Sequence, residues 1–301
     1  MRIVSAKKTL ASAAPLSLSD SNLWLQLKTA SSGKKVGFFK AKLPSGGPLY
    51  IVSMHQTIKM IPFVRTAEEL FQTTAKRESI KQKFKIVING PTYGLTKSGK
   101  IDALIGSDPV PASETLQQGR IIHNKKIIGG STSNMYFIAN YTGNAVKYQF
   151  GQGAAPTNAD AALGNMGPLI INKLPFGQVN KYNPPQPTAT KLGQPKSHNQ
   201  KFLTQRSNAR FSAMANQPDP VGKIAIGYSK GKGQLLILLQ PNASTGISIS
   251  GLKGIALHLG LDSAIYLDGS DSVMLMLDSN IVIPQGSNKD ETNITGIGFI
   301  Y

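Results

Sequence analysis

The sequence lacks cysteine, is poor in aromatic residues and contains no long apolar run. Because there is no thiol, disulfides, zinc–thiolate sites and cysteine catalysis are all excluded. Aromatic residues make up 7% of the chain, whereas 30 glycines and 18 prolines favour many turns between short strands. No segment reaches the roughly 18 consecutive apolar residues of a membrane-spanning helix. The apolar part of a signal peptide would fall at 9–18, where Ser12, Pro15 and Ser17 interrupt it, so we expect no secretory signal.

Acidic residues are also scarce, and the excess of basic residues gives a formal net charge of +18. Only six of the 33 basic residues are arginine. The others are lysine, which attracts phosphate as a point charge but has no planar fork for bidentate binding. A soluble basic surface and attraction to a polyanion both explain this composition. We expect any binding of nucleic acid to be non-specific, and the composition does not indicate an oligomeric state.

The few acids are unevenly placed, because six of the fifteen fall in the last forty residues: Asp262, Asp268, Asp271, Asp278, Asp290 and Glu291. Carboxylates are hard oxygen ligands suited to calcium or magnesium, but the spacing of this group is not that of an EF-hand. We therefore predict no cofactor, with a divalent cation such as calcium or magnesium as the alternative.

The pattern of apolar segments predicts an N-terminal extension at 1–47, with a strand at 23–27, and one large domain at 48–301. We expect this domain to be α+β, with a mostly antiparallel mixed sheet flanked by helices. One helix is predicted over 66–83, where Thr66 to Glu69 form a capping box. Another is predicted directly after Ser250, with apolar residues at positions i, i+3, i+4 and i+7 from Leu252 to Leu259, and Gly260 ends it. A basic, proline-containing loop is predicted at about 175–221.

The most specific local motif is a short apolar strand at 261–267 that ends in Asp-Gly-Ser-Asp-Ser, residues 268–272. Polar residues that directly follow a buried strand often carry chemistry. Asp268 is then a candidate general acid or base, nucleophile or metal ligand. Alternatively, its side chain caps the turn by accepting from the amides that follow it. Residue types alone leave both interpretations open.

Two further strands adjoin a glycine, one at its end and one at its start. The strand at 84–88 is followed by Asn89 and Gly90, which are common in plain turns. Gly167 and Pro168 come directly before an apolar strand, where a glycine lets the backbone approach another group closely. The four histidines show no metal-pair spacing, and among them His198 lies in the basic loop, where it is a candidate ligand contact.

Taken in chain order, these motifs resemble those of the phosphodiester glycosidase family. Residues 88–93 correspond to a strand ending in Asn-Gly-Gly-Phe-Phe, and 167–170 to Gly-Pro-x-Leu-Ile. Residues 223–227 correspond to Arg-Thr-Ala-Ile-Gly, with lysine in place of the arginine. Residues 264–272 correspond to Ala-x-x-Leu-Asp-Gly-Gly-Gly-Ser-Ser, with Ser270 and Asp271 in place of two glycines. The resemblance covers roughly 48–301 and implies a mixed α/β fold that cleaves a sugar-1-phosphodiester at its glycosidic bond.

The resemblance also implies roles for individual residues. Asp268 becomes the leading catalytic candidate, Glu291 or Asp271 the second carboxylate that glycoside cleavage usually needs, and Asn89 a further site residue. The candidates for substrate binding are Gly90, Thr92, Tyr93, Gly167, Pro168, Lys223, Gly269, Ser270, Ser272, His198 and Arg210. The implied partner is an anionic sugar-phosphate or glycan. The alternatives are a catalytically altered relative that binds an anionic glycan or nucleotide-like ligand, and a toxin or effector module acting on a cell-envelope or nucleotide target.

Overall fold

The computed structural model describes most of the chain outside the predicted basic loop. The described residues are 14–43, 47–65, 69–91, 93–95, 115–117, 119–130, 135–152, 154–164, 167–175, 220–244, 246–286 and 293–301.

Strands dominate the described residues. In chain order they are β1 Ala14–Leu16, β2 Val36–Lys42, β3 Pro48–His55, β4 Lys59–Val64, β5 Ile86–Asn89, β6 Tyr93–Leu95, β7 Thr115–Gln117, β8 Ile121–His123, β9 Lys126–Gly129, β10 Met135–Thr142, β11 Ala145–Gln152, β12 Ala161–Gly164, β13 Gly167–Ile171, β14 Leu174–Pro175, β15 Lys223–Ser229, β16 Gln234–Gln240, β17 Ser263–Tyr266, β18 Leu275–Leu277, β19 Asn280–Ile283 and β20 Thr295–Ile300. The described α-helices are α1 Leu23–Ala30, α2 Phe71–Gln82 and α3 Ile249–His258.

The strands form one large sheet and several smaller ones. The eight-stranded sheet has the order β1-β2-β3-β16-β15-β17-β13-β14. Two five-stranded sheets have the orders β19-β18-β5-β20-β4 and β11-β10-β12-β8-β9, and β6 and β7 form a two-stranded ribbon. Strand pairs in the described residues are antiparallel except for β1 with β2, which is parallel. The fold is therefore sheet-dominated, and the prediction of an α+β sheet flanked by helices is wrong.

The fold-class prediction fails because the main core lies between sheets rather than between a sheet and helices. One apolar cluster joins the large sheet to both five-stranded sheets, through residues such as Ile226, Ile88 and Phe137. A second cluster fills the other side of the large sheet, against α1 and α3. The helix α2 covers only the outer face of one five-stranded sheet. An apolar strand gives no local signal that tells whether a helix or another sheet will cover it.

The N-terminal part of the chain enters the large sheet within the described residues. The strand predicted at 23–27 is wrong, because Leu23 and Leu27 face the core from α1 at the helical spacing of four. After it, β2 pairs with β3 along seven registered positions. The division of the chain at residue 47 stays a prediction.

The two helices predicted from periodicity are present with shifted starts. The helix predicted over 66–83 begins at Phe71, and its N-cap residue Leu70 makes no side-chain cap hydrogen bond. The Glu69 carboxylate accepts from Thr74 Oγ1 at 2.8 Å instead of closing a capping box. In α3 the N-cap is Ser248, whose Oγ accepts from Gly251 N at 2.9 Å. Gly260 has φ +64° just past α3, as the predicted helix end requires.

Candidate functional site

The end of β17 and the end of β5 meet, although they belong to different sheets. The Asp268 amide donates to the Gly90 carbonyl at 3.2 Å. In the other direction, Asn89 Nδ2 donates to the Asp268 carbonyl at 2.7 Å. The hydrogen bond between Asn89 and Asp268 joins residues that lie 179 positions apart in sequence. The motifs around Asn89 and Asp268, which are far apart in the sequence, thus lie in contact in the structure.

Asn89 acts as a clamp on the loop that follows β17. Its side chain is 1% exposed, and its Oδ1 accepts from the Met274 amide at 3.0 Å while Nδ2 bonds to Asp268. Both polar atoms therefore hold the backbone at the two ends of 268–274. A buried amide satisfied in this way fixes loop geometry, because breaking either bond would leave a buried backbone group without its partner. The structure thus gives Asn89 a positioning role beside Asp268.

Lys223 lies opposite Asp268 on the neighbouring strand. The Leu267 amide donates to the Ile224 carbonyl at 3.0 Å, which continues the pairing of β15 with β17 past its last registered residues. Directly opposed residues of an antiparallel pair have Cβ atoms about 5 Å apart. Lys223 is 0% exposed, and its Nζ donates to the Val221 carbonyl at 2.8 Å. Asp268 is partly buried, whereas Lys223 is buried.

The turn after Asp268 is as tight as the sequence predicted. Residues Ser270–Ser272 form a single 3-10 turn, and the Ser272 amide donates to the Gly269 carbonyl at 3.2 Å. A Cβ on Gly269 would lie 2.0 Å from the Tyr266 hydroxyl and 2.7 Å from the Gly222 carbonyl oxygen. Backbone and side chain therefore pack against Gly269 too closely for any other residue type.

The other two predicted glycines line the same region. The Gly90 amide donates to the Thr295 carbonyl at 2.8 Å, and a Cβ on Gly90 would lie 2.7 Å from the Thr295 side chain. The amide of Gly90 thus bonds within the protein, and this glycine permits the close approach of β20. Gly167 opens β13 opposite Tyr266, which places it on the other side of β17 from Lys223.

The backbone of Asp271 and Ser272 accepts hydrogen bonds from Gly286 and Asn293, which follow β19. The Gly286 amide donates to the Asp271 carbonyl at 2.8 Å, and Asn293 Nδ2 donates to the Ser272 carbonyl at 3.2 Å. Asp271 is partly buried, whereas Ser272 is buried. The loop carrying Asp268 and Asp271 is therefore fixed by Asn89 on one side and by Gly286 and Asn293 on the other.

Several predicted site residues fall outside what the structure describes: Thr92, Glu291, His198 and Arg210. For Tyr93, Pro168 and Ser270 the description covers the backbone. Among the described residues, no three histidine, aspartate or glutamate side chains lie close enough to hold a metal ion. The calcium or magnesium alternative, which included Asp290, stays a prediction. Over the same described ranges, no helix has the length and apolar character needed to cross a membrane.

Two buried cations near these elements were not predicted from the sequence. Lys253 in α3 is 1% exposed, and burial lowers its pKa to about 8. The sequence signal was present, because position 253 lies on the helix face of Ile249, Leu252 and Ala256. Arg65 follows β4 and is 3% exposed; its guanidinium donates to the Glu69 carbonyl at 2.9 Å. No local pattern distinguished this arginine from a surface residue.

Comparisons with known proteins show solved structures of the same fold but do not show a family. No protein-family model matches the chain, and no curated protein matches it in sequence. Solved structures share the fold, and one of them is a glycosidase catalytic domain. That structure is the zebrafish N-acetylglucosamine-1-phosphodiester alpha-N-acetylglucosaminidase catalytic domain, auto-inhibited by its pro-peptide. It has a TM-score of 0.55 and 14% identity, over 89% of this chain and 82% of that one.

A second similar structure is a hypothetical protein from Synechocystis, with a TM-score of 0.51 and 12% identity. The match covers 89% of this chain and 63% of that one, so this chain spans less than two thirds of the Synechocystis protein. The TM-scores of these two structures indicate a shared fold, but their sequence identities are too low to transfer an activity. Activity therefore has to be argued from the site.

Proposed function

We propose that this protein is a glycosidase that cleaves the glycosidic bond of a sugar-1-phosphodiester or a similar anionic sugar-phosphate. The observation that carries the proposal is the contact between the two predicted motifs. Asp268 is bound through its backbone to Asn89 and Gly90, at 2.7 and 3.2 Å, and lies opposite Lys223. The fold shared with a glycosidase catalytic domain supports the proposal independently.

The site offers the groups that this reaction requires. Asp268 is a partly buried carboxylate on a rigid turn, suited to act as general acid or base or as nucleophile. Asp271, three residues on, and Glu291 are the candidates for the second carboxylate. Lys223 would neutralise charge on the phosphodiester as a point charge, without the bidentate geometry of arginine. The net charge of +18 would draw an anionic substrate toward the protein.

The test compares two aspartate-to-asparagine variants on a panel of sugar-1-phosphodiesters, with the released reducing sugar as the readout. Asp268→Asn keeps the shape of the side chain but removes its charge, and we expect kcat to fall about 100- to 10,000-fold. The matched control is Asp278→Asn on the exposed turn between β18 and β19, where Asp278 pairs with Lys85 at 3.3 Å. The control should change kcat by less than about twofold, because exposed ion pairs contribute little.

Full activity of Asp268→Asn would contradict the assignment of Asp268. Tight binding of the panel by the wild type, with no release of sugar, would contradict the proposed reaction. That second outcome would instead support the binding protein that the sequence left as an alternative.

A further inference from the structure

Gln240 ends β16 as a fully buried polar side chain, at 0% exposure, after the apolar run 235–239. Burying an amide costs free energy unless its donors and acceptor are satisfied. The Gln240 Nε2 donates to the carbonyls of Val221 and Ser244, both at 3.0 Å, and its Oε1 accepts from the Ile247 amide at 2.8 Å. One side chain therefore ties the end of β16 to the residues just before β15 and to the turn that leads into α3.

Residues 221–224, which we call the entry segment, lead into β15 and are held at two consecutive positions. Gln240 bonds to the Val221 carbonyl, and Asn242 Oδ1 accepts from the Gly222 amide at 3.1 Å. The surrounding backbone packs directly on the glutamine, because a Cβ on Gly246 would lie 1.9 Å from Gln240 Oε1. The entry segment is therefore fixed by the end of β16 and by the turn that follows it.

The entry segment contacts the site on both sides of Asp268. Its Gly222 carbonyl oxygen lies 2.7 Å from the position of a Cβ on Gly269, the residue after Asp268. Its Ile224 carbonyl accepts at 3.0 Å from the amide of Leu267, the residue before Asp268. A shift of the entry segment would consequently displace the backbone that carries the Asp268 carboxylate.

We propose that Gln240 and Asn242 are positioning residues that fix the Asp268 carboxylate through the entry segment. Asn89 holds the Asp268 carbonyl from a five-stranded sheet, at 2.7 Å, and Gln240 acts from the large sheet. A reacting carboxylate needs such support, because a misplacement of about 1 Å can lower a rate about 100-fold. The effect on catalysis rests on the proposed function, whereas the effect on the order of the entry segment does not.

The kinetic test compares Gln240→Met with a matched control, Gln234→Met. Each variant replaces a buried glutamine at one end of β16 by an unbranched side chain of similar size. Gln234 lies about 20 Å from Gln240 along the strand. The control also removes buried hydrogen bonds, because Gln234 Oε1 accepts from Ser31 and Ser53 at 2.9 Å each.

Kinetics are measured on a sugar-1-phosphodiester at a temperature where both variants are folded. We expect Gln240→Met to lower kcat about tenfold or more and to leave KM within about threefold of the wild type, because the displaced group is the reacting carboxylate. Gln234→Met should keep kcat within about twofold. Equal losses of kcat in the two variants would overturn the proposal. A raised KM with unchanged kcat in Gln240→Met would overturn it as well, by assigning Gln240 to substrate binding.

Amide hydrogen exchange tests the same proposal without turnover. In the wild type the Gly222 amide bonds to Asn242 and the Asp268 amide bonds to Gly90. We expect Gln240→Met to speed the exchange of these two amides about tenfold or more, and Gln234→Met to leave both within about twofold. Exchange as slow in Gln240→Met as in the wild type would overturn the proposal.

Asn242→Ala guards against a folding defect in Gln240→Met. Asn242 is exposed, and the substitution removes the acceptor of the Gly222 amide. We expect kcat to fall about threefold or more and the Gly222 amide to exchange faster than in the wild type. Unchanged kcat together with unchanged exchange in this variant would overturn the proposal.

The two proposals fail separately. A wild type that releases no sugar from any phosphodiester refutes the reaction, and amide exchange then still decides whether Gln240 orders the entry segment. Cleavage by the wild type, with the same kcat in Gln240→Met and Gln234→Met, refutes the positioning role alone.

Discussion

Replacing Lys253 by methionine should make the protein more stable at neutral pH. Burial lowers the pKa of Lys253 from its ordinary 10.5 to about 8, with desolvation as the cause. The folded state therefore holds the proton less tightly than the unfolded state does. Below pH 8 the charged lysine opposes folding by its full amount, and this penalty disappears as the pH rises past 10.5.

The size of the effect follows from the shift in pKa. A difference of about 2.5 units corresponds to on the order of 3 kcal/mol at pH 7, because each unit is worth about 1.4 kcal/mol. The same relation leaves about 1 kcal/mol at pH 10. Methionine fits the site because it is unbranched and adaptable, and its side chain carries no charge to desolvate.

The assay is urea unfolding of the wild type and Lys253→Met at pH 7 and pH 10. All other titratable groups, Lys223 and Asp268 among them, are present in both proteins, so the difference between the two curves isolates Lys253. We expect the free energy of unfolding of Lys253→Met to exceed that of the wild type by about 3 kcal/mol at pH 7 and by about 1 kcal/mol at pH 10. Lys76→Met, exposed on α2, should differ from the wild type by less than about 0.5 kcal/mol at both values.

Two results would refute this reasoning. A variant less stable than the wild type at pH 7 would mean that the ammonium stabilises the fold where it lies. A stability difference that does not change between pH 7 and pH 10 would mean that the lysine does not titrate as its burial implies.

Other predictions concern glycines and the clamp. Gly269→Ala should cost about 1–3 kcal/mol and reduce activity, because its Cβ would lie 2.0 Å from the Tyr266 hydroxyl. Gly254→Ala lies within α3, and no atom lies within 4 Å of its new Cβ, so it should raise the free energy of unfolding by about 0.5–1 kcal/mol. Thermal unfolding that finds Gly269→Ala more stable than Gly254→Ala would contradict the packing described above. Asn89→Ala should cost about 2–4 kcal/mol in denaturant unfolding and lower kcat by freeing the loop at Asp268. Unchanged kcat in a folded Asn89→Ala protein would show that the clamp does not position the carboxylate.

Local patterns in the sequence predicted the individual elements well where one signal dominated. The hairpin of β15 and β16 consists of two apolar runs joined across a glycine-bearing turn, which is a local signal. The helix α3 was visible from its apolar spacing and from Gly260, whose positive φ the structure shows. The tight turn after Asp268 was predicted for the same reason, because Gly269 and the small polar residues around it favour one. In each case the determining residues lie within a few positions of one another.

Local sequence patterns did not predict the structure of segments whose conformation depends on packing against residues far away in the sequence. The segment at 23–27 is apolar enough for a strand, and packing of Leu23 and Leu27 against the large sheet makes it a helix. The expected flanking helices were replaced by sheet-on-sheet packing, since an apolar face does not specify what covers it.

The sequence by itself determined that Asp268 ends a buried strand and that Asn89 ends another, because alternation of apolar residues and a glycine turn are local properties. Only the tertiary structure brought Asn89 Nδ2 to 2.7 Å from the Asp268 carbonyl, through the meeting of two sheets. It alone decided that Lys253 is 1% exposed, whereas Lys76, on another helix, is exposed. The physical reason is that strand pairing and burial depend on contacts between residues far apart in sequence, which no local pattern encodes.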